Sequence, residues 1–204
     1  MIGGLYEGSL AGFGPVEIEH ADGRRERLPV DQWRDGRPGD EALLDRCCGP
    51  TLDVGSGPGR LTVALAERGL PVLGIDVTPY AVEMTRAAGA LALLRDVFDR
   101  VPGAGRWETV LLADGNIGIG GDPPALLRRV AALLRRGGHG IVELGETTRT
   151  EWIRLRDARQ AGDWFRWSHV GADAIGGCAG AAGLAVAGVW TEGTRWFAEL
   201  TVAG

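Results

Sequence analysis

The feature that most constrains the fold is a regular alternation of short apolar runs and helix-like segments from residue 41 onward. The runs TLDV, PVLGID, LALLRD, WETVLLAD and HGIVEL are mostly apolar. Such runs are typical of strands buried on both faces, and their alternation with helices is typical of a parallel sheet covered on both sides. We therefore predict an α/β fold with an open, mostly parallel sheet.

Both ends of the chain depart from this alternation. LAVAGVWT and TRWFAELTV, joined through Glu192-Gly193, predict an antiparallel hairpin at one edge of the sheet. VEIEH and RERLPV flank an Asp22-Gly23 turn and predict a second hairpin near the N-terminus. We expect residues 1–40 to form an N-terminal arm and hairpin appended to a core of residues 41–204, the whole being one domain.

Charge and composition argue against a nucleic-acid partner. The net charge is −5 and the sequence pI is about 5.3, whereas a nucleic-acid-binding surface is basic. All 22 basic residues are arginine, which together with 34 glycines indicates a GC-rich bacterial genome.

Asp122 with Pro123-Pro124 predicts a helix that ends at Gly137-Gly138. On its solvated face we expect Arg128, Arg129, Arg135 and Arg136.

The sequence predicts neither a targeting segment nor a disulfide framework or zinc site. The N-terminus lacks the basic start and apolar stretch of a signal peptide, and no apolar run approaches the ~18 residues that a membrane-spanning helix needs. We expect a soluble, cytoplasmic protein with no membrane partner; its oligomeric state is open. Cys47, Cys48 and Cys178 are too few for a disulfide framework or a four-ligand zinc site. Cys47-Cys48 suits a redox thiol pair or, as we favour, the end of a helix.

The stretch TLDVGSGPGRL places a glycine-rich turn directly after the first of these strands. Ligands of an open α/β sheet bind at the carboxyl ends of its strands, so this turn is a natural cofactor loop. The dinucleotide fingerprint G-x-G-x-x-G requires glycine where this chain has Arg60, and a P-loop requires a lysine, which the chain lacks. Asp53 would repel a pyrophosphate and attract a cationic ligand.

From about residue 50 to 145 the chain resembles the class I S-adenosylmethionine (SAM)-dependent methyltransferases. The resemblance rests on LDVGSGPGRLTVALAERG, on the second-strand acid of LGID and on the third-strand acid of LLRDVF. It implies a Rossmann-like, doubly wound sheet of seven strands with the C-terminal hairpin at its edge. It also implies SAM as cofactor, S-adenosylhomocysteine as product and, in our interpretation, a small-molecule acceptor.

The resemblance further implies which residues face the cofactor. The glycines would approach its amino-acid and ribose parts, Asp53 would lie near its ammonium, and Asp76 would accept the ribose hydroxyls. Asp96 with the Val97 backbone would read the adenine edge, while Ala113 and Asp114 would flank the sulfonium. The expected cofactor-binding residues are Asp53, Gly55, Ser56, Gly57, Gly59, Asp76, Val77, Asp96, Val97, Ala113, Asp114 and Asn116.

The acceptor side carries weaker signals. Many amino-methylating relatives have an N/D-P-P-Y/F motif after the fourth strand, whereas this chain has ADGNIGIGGDPP without the aromatic, so we expect no nucleobase or glutamine-amide acceptor. The segment TRTEWIRLRDARQAGDWFRWSHVGAD concentrates aromatics that predict an acceptor pocket; covering a sheet edge is the alternative. The expected substrate-binding residues are Trp164, Phe165, Trp167 and Tyr6, the last from an arm that folds over the cofactor or simply packs.

Methyl transfer from a sulfonium requires alignment more than chemical assistance, and a general base matters only when the acceptor must lose a proton. His169 and Asp114 are the candidate bases. Asp114, Asn116 and Asp122 suggest a divalent-metal site, but the further ordered acids of metal-dependent relatives are missing, so we expect no metal. Two alternatives remain: a non-catalytic SAM-binding partner or sensor, and an NAD-dependent oxidoreductase, which Arg60 disfavours.

Overall fold

The structure is a computed structural model, described here over residues 3–202, and its strands form two sheets. The strands are β1 (Glu17–His20), β2 (Arg25–Arg27), β3 (Thr51–Val54), β4 (Val72–Asp76), β5 (Ala92–Leu94), β6 (Trp107–Leu112), β7 (Leu134–Leu144), β8 (Arg149–Arg156), β9 (Phe165–His169), β10 (Leu184–Glu192) and β11 (Arg195–Val202). The helices are α1 (Gly3–Leu10), α2 (Asp40–Leu44), α3 (Arg60–Glu67), α4 (Pro79–Ala87), α5 (Pro123–Leu133) and α6 (Ile175–Gly180), with 3-10 turns at Val30–Trp33 and Asn116–Gly121.

The large sheet has seven strands in the order β10-β11-β7-β6-β3-β4-β5. Strands β3 to β7 pair in parallel, whereas β10 and β11 pair antiparallel at the β7 edge. This confirms the predicted mostly parallel sheet and its C-terminal hairpin. Because strand order reverses between β3 and β6, a cleft opens at the carboxyl ends of these two strands.

Apolar side chains of alternating orientation build a core on each face of the large sheet. In β6, Val110 and Leu112 face one cluster with Leu126 of α5, whereas Leu111 faces the other with Leu65 of α3. All five side chains are fully buried, and each such burial contributes roughly 1.5–3 kcal/mol. Both faces of the large sheet are therefore packed, which leaves the cleft at the carboxyl ends of β3 and β6 as the place for a ligand.

The predicted end of α5 is wrong by several residues. The helix ends at Leu133 and β7 begins at Leu134 without a loop, so Arg135 and Arg136 belong to the strand. Arg135 donates from Nε to Oε2 of Glu108 at 2.9 Å across the edge of β6. Helix periodicity could not reveal this change, because Leu134 fits both the helical stripe and the first position of a strand.

The second sheet, which we call the cap sheet, is antiparallel with the order β2-β1-β8-β9. It contains the predicted N-terminal hairpin, whose turn residue Gly23 has φ +87°. The hairpin does not stand apart from the core segment, because β1 pairs along its whole length with β8. No local sequence signal marks this pairing, since the two strands lie far apart in the chain.

The surroundings of Cys47 bear on the two interpretations of the cysteine pair. Cys47 is buried beside Leu43, and burial raises the pKa of its thiol to about 12, which agrees with a packing role rather than a reactive thiol. Within residues 3–202, none of the helices has the length and apolar character needed to cross a bilayer.

Candidate functional site

A cavity of about 830 Å³ lies between the carboxyl ends of the central strands and the inner face of the cap sheet. Its floor includes the glycine loop after β3 and the ends of β4 and β6, and its roof includes β1, β8 and β9. The volume is near the upper end of the roughly 300–1,000 Å³ that ligand pockets occupy. One space therefore joins the predicted cofactor loop to the predicted acceptor segment.

The glycine loop is held against the end of β4 by its own backbone. The N–H groups of Gly55 and Ser56 both donate to the carbonyl of Ile75, at 2.8 and 3.0 Å. The N–H of Gly57 donates to Oδ2 of Asp76 at 2.9 Å. Gly55 and Gly57 have φ of +70° and +53°, a region that favours glycine.

Asp76 is fixed in orientation by two backbone donors. Besides Gly57, the N–H of Thr78 donates to Oδ1 at 2.8 Å, at the start of α4. Burial raises the pKa of the Asp76 carboxyl, although these two donors act in the opposite direction. The result is a buried, oriented carboxylate that lines the cavity at the end of the second central strand.

Asn116 reaches the glycine loop from the opposite side. Its Nδ2 donates to the carbonyls of Val54 and Gly55, at 2.9 and 3.0 Å. A Cβ on Gly55 would lie 2.7 Å from that nitrogen, closer than atoms of this kind can approach. Asn116 thus holds the loop, and the absence of a side chain at Gly55 makes this contact feasible.

Asp53, in β3 just before the glycine loop, is only 2% exposed. The hydroxyl of Thr62 donates to its Oδ2 at 2.6 Å. Burial raises the pKa of the Asp53 carboxyl to about 6, against the hydrogen bond from Thr62. The group is therefore ionised at neutral pH and becomes protonated under mildly acidic conditions.

Three arginines and three carboxylates form a mostly buried network that reaches the cavity at Arg60 and Asp114. Arg195 of β11 donates to both carboxylate oxygens of Glu143, each at 2.9 Å, and to Asp40 at 2.8 Å. Arg60 donates to Asp40 and, at 2.5 Å, to Asp114. The formal charges balance, as buried charges must to be tolerated. The six members are Arg37, Arg60, Arg195, Asp40, Asp114 and Glu143.

Within this network Asp114 is not free to act as the base that the sequence suggested. Arg37 donates to its Oδ1 at 2.6 Å and Arg60 to its Oδ2, so both oxygens are occupied. Its own N–H donates to Glu143 at 2.6 Å, and its φ is +53°, the left-handed conformation. The carboxylate lines the cavity as part of a structural charge cluster.

The N-terminal helix α1 covers the glycine loop through Tyr6. The Tyr6 hydroxyl lies 3.2 Å from where a Cβ on Gly57 would be, and the ring packs edge-on against Trp33 with centroids 5.7 Å apart. Burial, assisted by the nearby Asp76 and Asp114, raises the pKa of Tyr6, so its hydroxyl stays protonated. Tyr6 lines the cavity.

The inner face of the cap sheet is built by alternate residues of its strands. Ile153 and Leu155 of β8 and Phe165 and Trp167 of β9 all line the cavity. The Phe165 and Trp167 rings meet edge-on, with centroids 6.3 Å apart. Trp152 has the opposite orientation and is 52% exposed, as the period of two in a strand requires.

His169 lies at the polar end of this inner face. Its Nε2 is 3.4 Å from Oε1 of Glu151, and the ring lines the cavity together with His20. Burial lowers the pKa of the His169 imidazole, and Arg149 adds to the effect. The imidazole is therefore neutral at physiological pH and can accept a proton.

Two of the predicted site residues are not brought to the cavity. Gly59 is the N-cap residue of α3, and a Cβ there would lie 2.5 Å from the Thr85 hydroxyl, so this glycine allows α3 and α4 to pack closely. Trp164 precedes β9 and is 41% exposed, with the Arg154 guanidinium 4.5 Å from its ring centroid. The other predicted cofactor residues, together with Tyr6, Phe165, Trp167 and His169, all line the cavity.

Sequence reasoning missed several cavity residues, foremost His20, Glu26 and Glu151 from the cap sheet. The alternation of Glu151, Ile153 and Leu155 is a strand signal that could have identified the inward-facing set. Its partner strand could not be identified, since β1 is remote in sequence. Among residues 3–202, no group of three or more His, Cys, Asp or Glu side chains is arranged to hold a metal ion.

Sequence similarity to known proteins covers part of the chain. Residues 51–138 match a family model described as "Methyltransferase domain". An uncharacterized methyltransferase of Mycobacterium tuberculosis is 34% identical over 115 residues, which cover 55% of this chain and 46% of the relative. The chain thus spans about half the length of the curated relatives it matches first.

Solved structures share the fold over a greater length. A SAM-dependent methyltransferase from Bacteroides fragilis, crystallised with S-adenosyl-L-homocysteine, has a TM-score of 0.86 at 23% identity and covers 98% of this chain and 94% of its own. The 1,6-didemethyltoxoflavin-N1-methyltransferase of Burkholderia thailandensis has a TM-score of 0.63 at 17% identity, covering 82% and 78%. At these identities the likeness concerns the fold.

Proposed function

Since residues 51–138 match a methyltransferase-domain model and the fold is that of SAM-dependent methyltransferases, we propose that the chain is a class I SAM-dependent methyltransferase that methylates a small-molecule acceptor held beneath the cap sheet. When bound, SAM supplies an electrophilic methyl group and leaves as S-adenosylhomocysteine. One observation carries the proposal: the glycine loop and the aromatic face of the cap sheet line the same cavity of about 830 Å³. That volume accommodates a nucleoside cofactor with a small acceptor beside it.

The residues on the cavity floor suit this cofactor. Gly55 and Gly57 present bare backbone, and Asp76 is oriented by two N–H donors where it can accept ribose hydroxyls. The buried Val97 and the neighbouring Asp96 border the same floor, where an adenine would lie. The cofactor would therefore contact bare backbone at the glycine loop and carboxylate acceptors at the strand ends.

Charge favours the same ligand. Asp53 and Asp76 both line the cavity, and the field of their carboxylates attracts an ammonium and a sulfonium. It would repel the pyrophosphate of a dinucleotide. The carboxylate of the cofactor's methionine part, in turn, would approach Arg60, whose Nε is buried without a hydrogen-bond partner in the described chain.

The cap sheet aligns the acceptor with the reacting methyl group and excludes water from the cavity. Phe165, Trp167 and Ile153 present an apolar surface to the acceptor, and a dry, shaped pocket brings the nucleophile into line with the reacting methyl group. Tyr6, with a protonated hydroxyl, closes the cleft above Gly57. These residues position the reactants and need no covalent intermediate.

The activity can be tested with SAM labelled in its methyl group and a soluble metabolite extract as the source of acceptors. We expect label to appear in a small molecule only when the protein is present. A matched variant, Asp76→Ala, should reduce this transfer at subsaturating SAM, because it removes the ribose acceptor. Tight binding of S-adenosylhomocysteine without any labelled metabolite would instead support a non-catalytic SAM-binding partner or sensor.

A further inference from the structure

A polar cluster interrupts the otherwise apolar inner face of the cap sheet. It consists of Glu151 of β8 between two imidazoles, His20 of β1 and His169 of β9, and we call it the cap cluster. His20 Nδ1 lies 2.8 Å from Oε2 of Glu151, and His169 Nε2 lies 3.4 Å from Oε1. Each carboxylate oxygen therefore faces one imidazole.

The two histidines differ in solvent exposure and in hydrogen bonding. His20 is 3% exposed and is held by Glu151, while its Nε2 has no hydrogen-bond partner in the described chain and lies 3.3 Å from Glu26. The side chain of His169 is 29% exposed, and no residue between 3 and 202 forms a hydrogen bond with its ring. His169 is therefore the member that a ligand and solvent can reach.

Charges around the cap cluster keep Glu151 ionised. Arg149 donates to its Oε1 at 2.9 Å, and Arg24 lies 3.4 Å from its Oε2. Although burial disfavours the ionised form, hydrogen bonds from His20 and Arg149 lower the pKa of the Glu151 carboxyl. A carboxylate beside an imidazole stabilises the imidazolium that forms when the ring takes up a proton.

The groups facing His169 come from three strands. Arg149 and Glu151 project from β8, His20 from β1, and Glu26 follows in β2. Arg149 and the burial of the ring favour its neutral form, whereas the two carboxylates favour the charged form. The ring is consequently neutral before reaction, with Glu151 in place to compensate a positive charge.

We propose, on the basis of the proposed methyltransferase function, that the acceptor is an aromatic hydroxyl compound and that His169 takes its hydroxyl proton. The proton moves from the acceptor oxygen to the imidazole, and an oxygen lone pair forms the new bond to the methyl carbon. The bond between that carbon and sulfur breaks with its electron pair going to sulfur. Glu151 and His20 act as positioning residues, and the imidazolium later releases its proton to water.

Two features select this class of acceptor. Phe165 and Trp167, whose rings meet edge-on, form with Ile153 and Leu155 an apolar wall against which an aromatic ring can pack. His169 can take the proton of a hydroxyl group, and the carboxylate of Glu151, 3.4 Å from its Nε2, stabilises the imidazolium that results.

The test uses 4-nitrophenol, whose phenolate absorbs visible light, with protein saturated in S-adenosylhomocysteine. We expect the bound phenol to ionise at a lower pH than in solution, by about one pKa unit, which is a tenfold higher ratio of phenolate to phenol. His169→Gln should abolish this shift and Glu151→Gln should reduce it, while both still bind the methyl ether 4-nitroanisole. His139→Gln, a histidine of β7 that contacts Thr109 instead of the cavity, should retain the shift.

Three results would overturn the proposal. They are unshifted ionisation of the bound phenol, an unchanged shift in His169→Gln, and failure of the wild-type protein to bind either aromatic probe. Calorimetric binding of S-adenosylhomocysteine, measured first on the same sample, separates these results from failure of the proposed function. Absence of that binding contradicts the cofactor assignment itself.

Discussion

The N–H of Gly57 donates a hydrogen bond to Oδ2 of Asp76 at 2.9 Å, which joins the glycine loop after β3 to the acid that ends β4. The second oxygen of the same carboxylate accepts from the N–H of Thr78 at 2.8 Å. A single buried carboxylate thus organises two backbone segments and still borders the cavity. The proposed cofactor site depends on this arrangement.

Asp76→Ala should weaken the binding of S-adenosylhomocysteine at least tenfold, a loss of about 1.4 kcal/mol. The variant removes the proposed acceptor of the ribose hydroxyls and an anchor of Gly57. Isothermal titration calorimetry measures the effect. Asp99→Ala, an exposed acid whose side chain does not line the cavity, is the matched control and should bind normally. Equal affinities of the two variants would contradict the role of Asp76.

Gly55→Ala should abolish cofactor binding and lower the unfolding temperature. A Cβ at this position would lie 2.7 Å from the Asn116 side chain, in a backbone with φ +70°. Gly69→Ala is a suitable control, since Gly69 has φ +78° but nothing within 4 Å of the added atom. Gly69→Ala should therefore report backbone strain alone and leave cofactor binding intact. A Gly55→Ala protein that binds the cofactor like the wild type would contradict the proposed role of the glycine loop.

Cofactor affinity should fall as the pH drops below about 6. Asp53 has a pKa raised to about 6 by burial, so protonation in this range removes the negative charge expected to face the ammonium. Asp53→Asn should bind more weakly at neutral pH and lose the pH dependence between about 5 and 7. Titration calorimetry of both proteins across this range provides the measurement, and parallel pH profiles would contradict the assignment.

The raised pKa of Asp53 makes folding stability depend on pH in the opposite direction to cofactor affinity. Since the carboxyl binds its proton more tightly in the folded than in the unfolded chain, its contribution to stability decreases as pH rises from about 4 through about 6. Asp53→Asn should therefore unfold at a higher urea concentration at neutral pH, provided that Thr62 still donates to the new side chain. A lower midpoint would show that the ionised carboxylate stabilises the apoprotein.

Arg195→Met should destabilise the protein by about 3–5 kcal/mol, as expected when one partner of a buried ion pair is removed. It would leave Glu143 without its two-point partner and Asp40 without one of its donors. Urea unfolding measures the loss. Arg135→Met, which breaks the exposed contact with Glu108, should change the midpoint little. Similar losses in both variants would contradict the importance of burial in this network.

Much of the cofactor side was predictable because its signals are local. The apolar run before Gly55 and the acid at Asp76 follow each other along the chain, and the fold brings them together at the ends of two adjacent parallel strands. The spacing at Arg60 argued against a dinucleotide loop, yet it did not predict the network in which Arg60 pairs with Asp40 and Asp114.

The acceptor side was less predictable because it depends on pairing between distant strands. Phe165 and Trp167 were expected from aromatic density, but Trp164 of the same cluster faces outward, since neighbouring residues of an extended segment point in opposite directions. His20 had no evident role in the sequence, and only the pairing of β1 with β8 brings it beside Glu151.

Calorimetric titration with S-adenosylhomocysteine and, separately, with NAD tests the central claim most directly. The glycine loop with Asp53 and Asp76 should bind S-adenosylhomocysteine, and it should show no measurable affinity for NAD, whose pyrophosphate those carboxylates repel. Tight binding of NAD, or no binding of S-adenosylhomocysteine by the folded wild-type protein, would contradict the account.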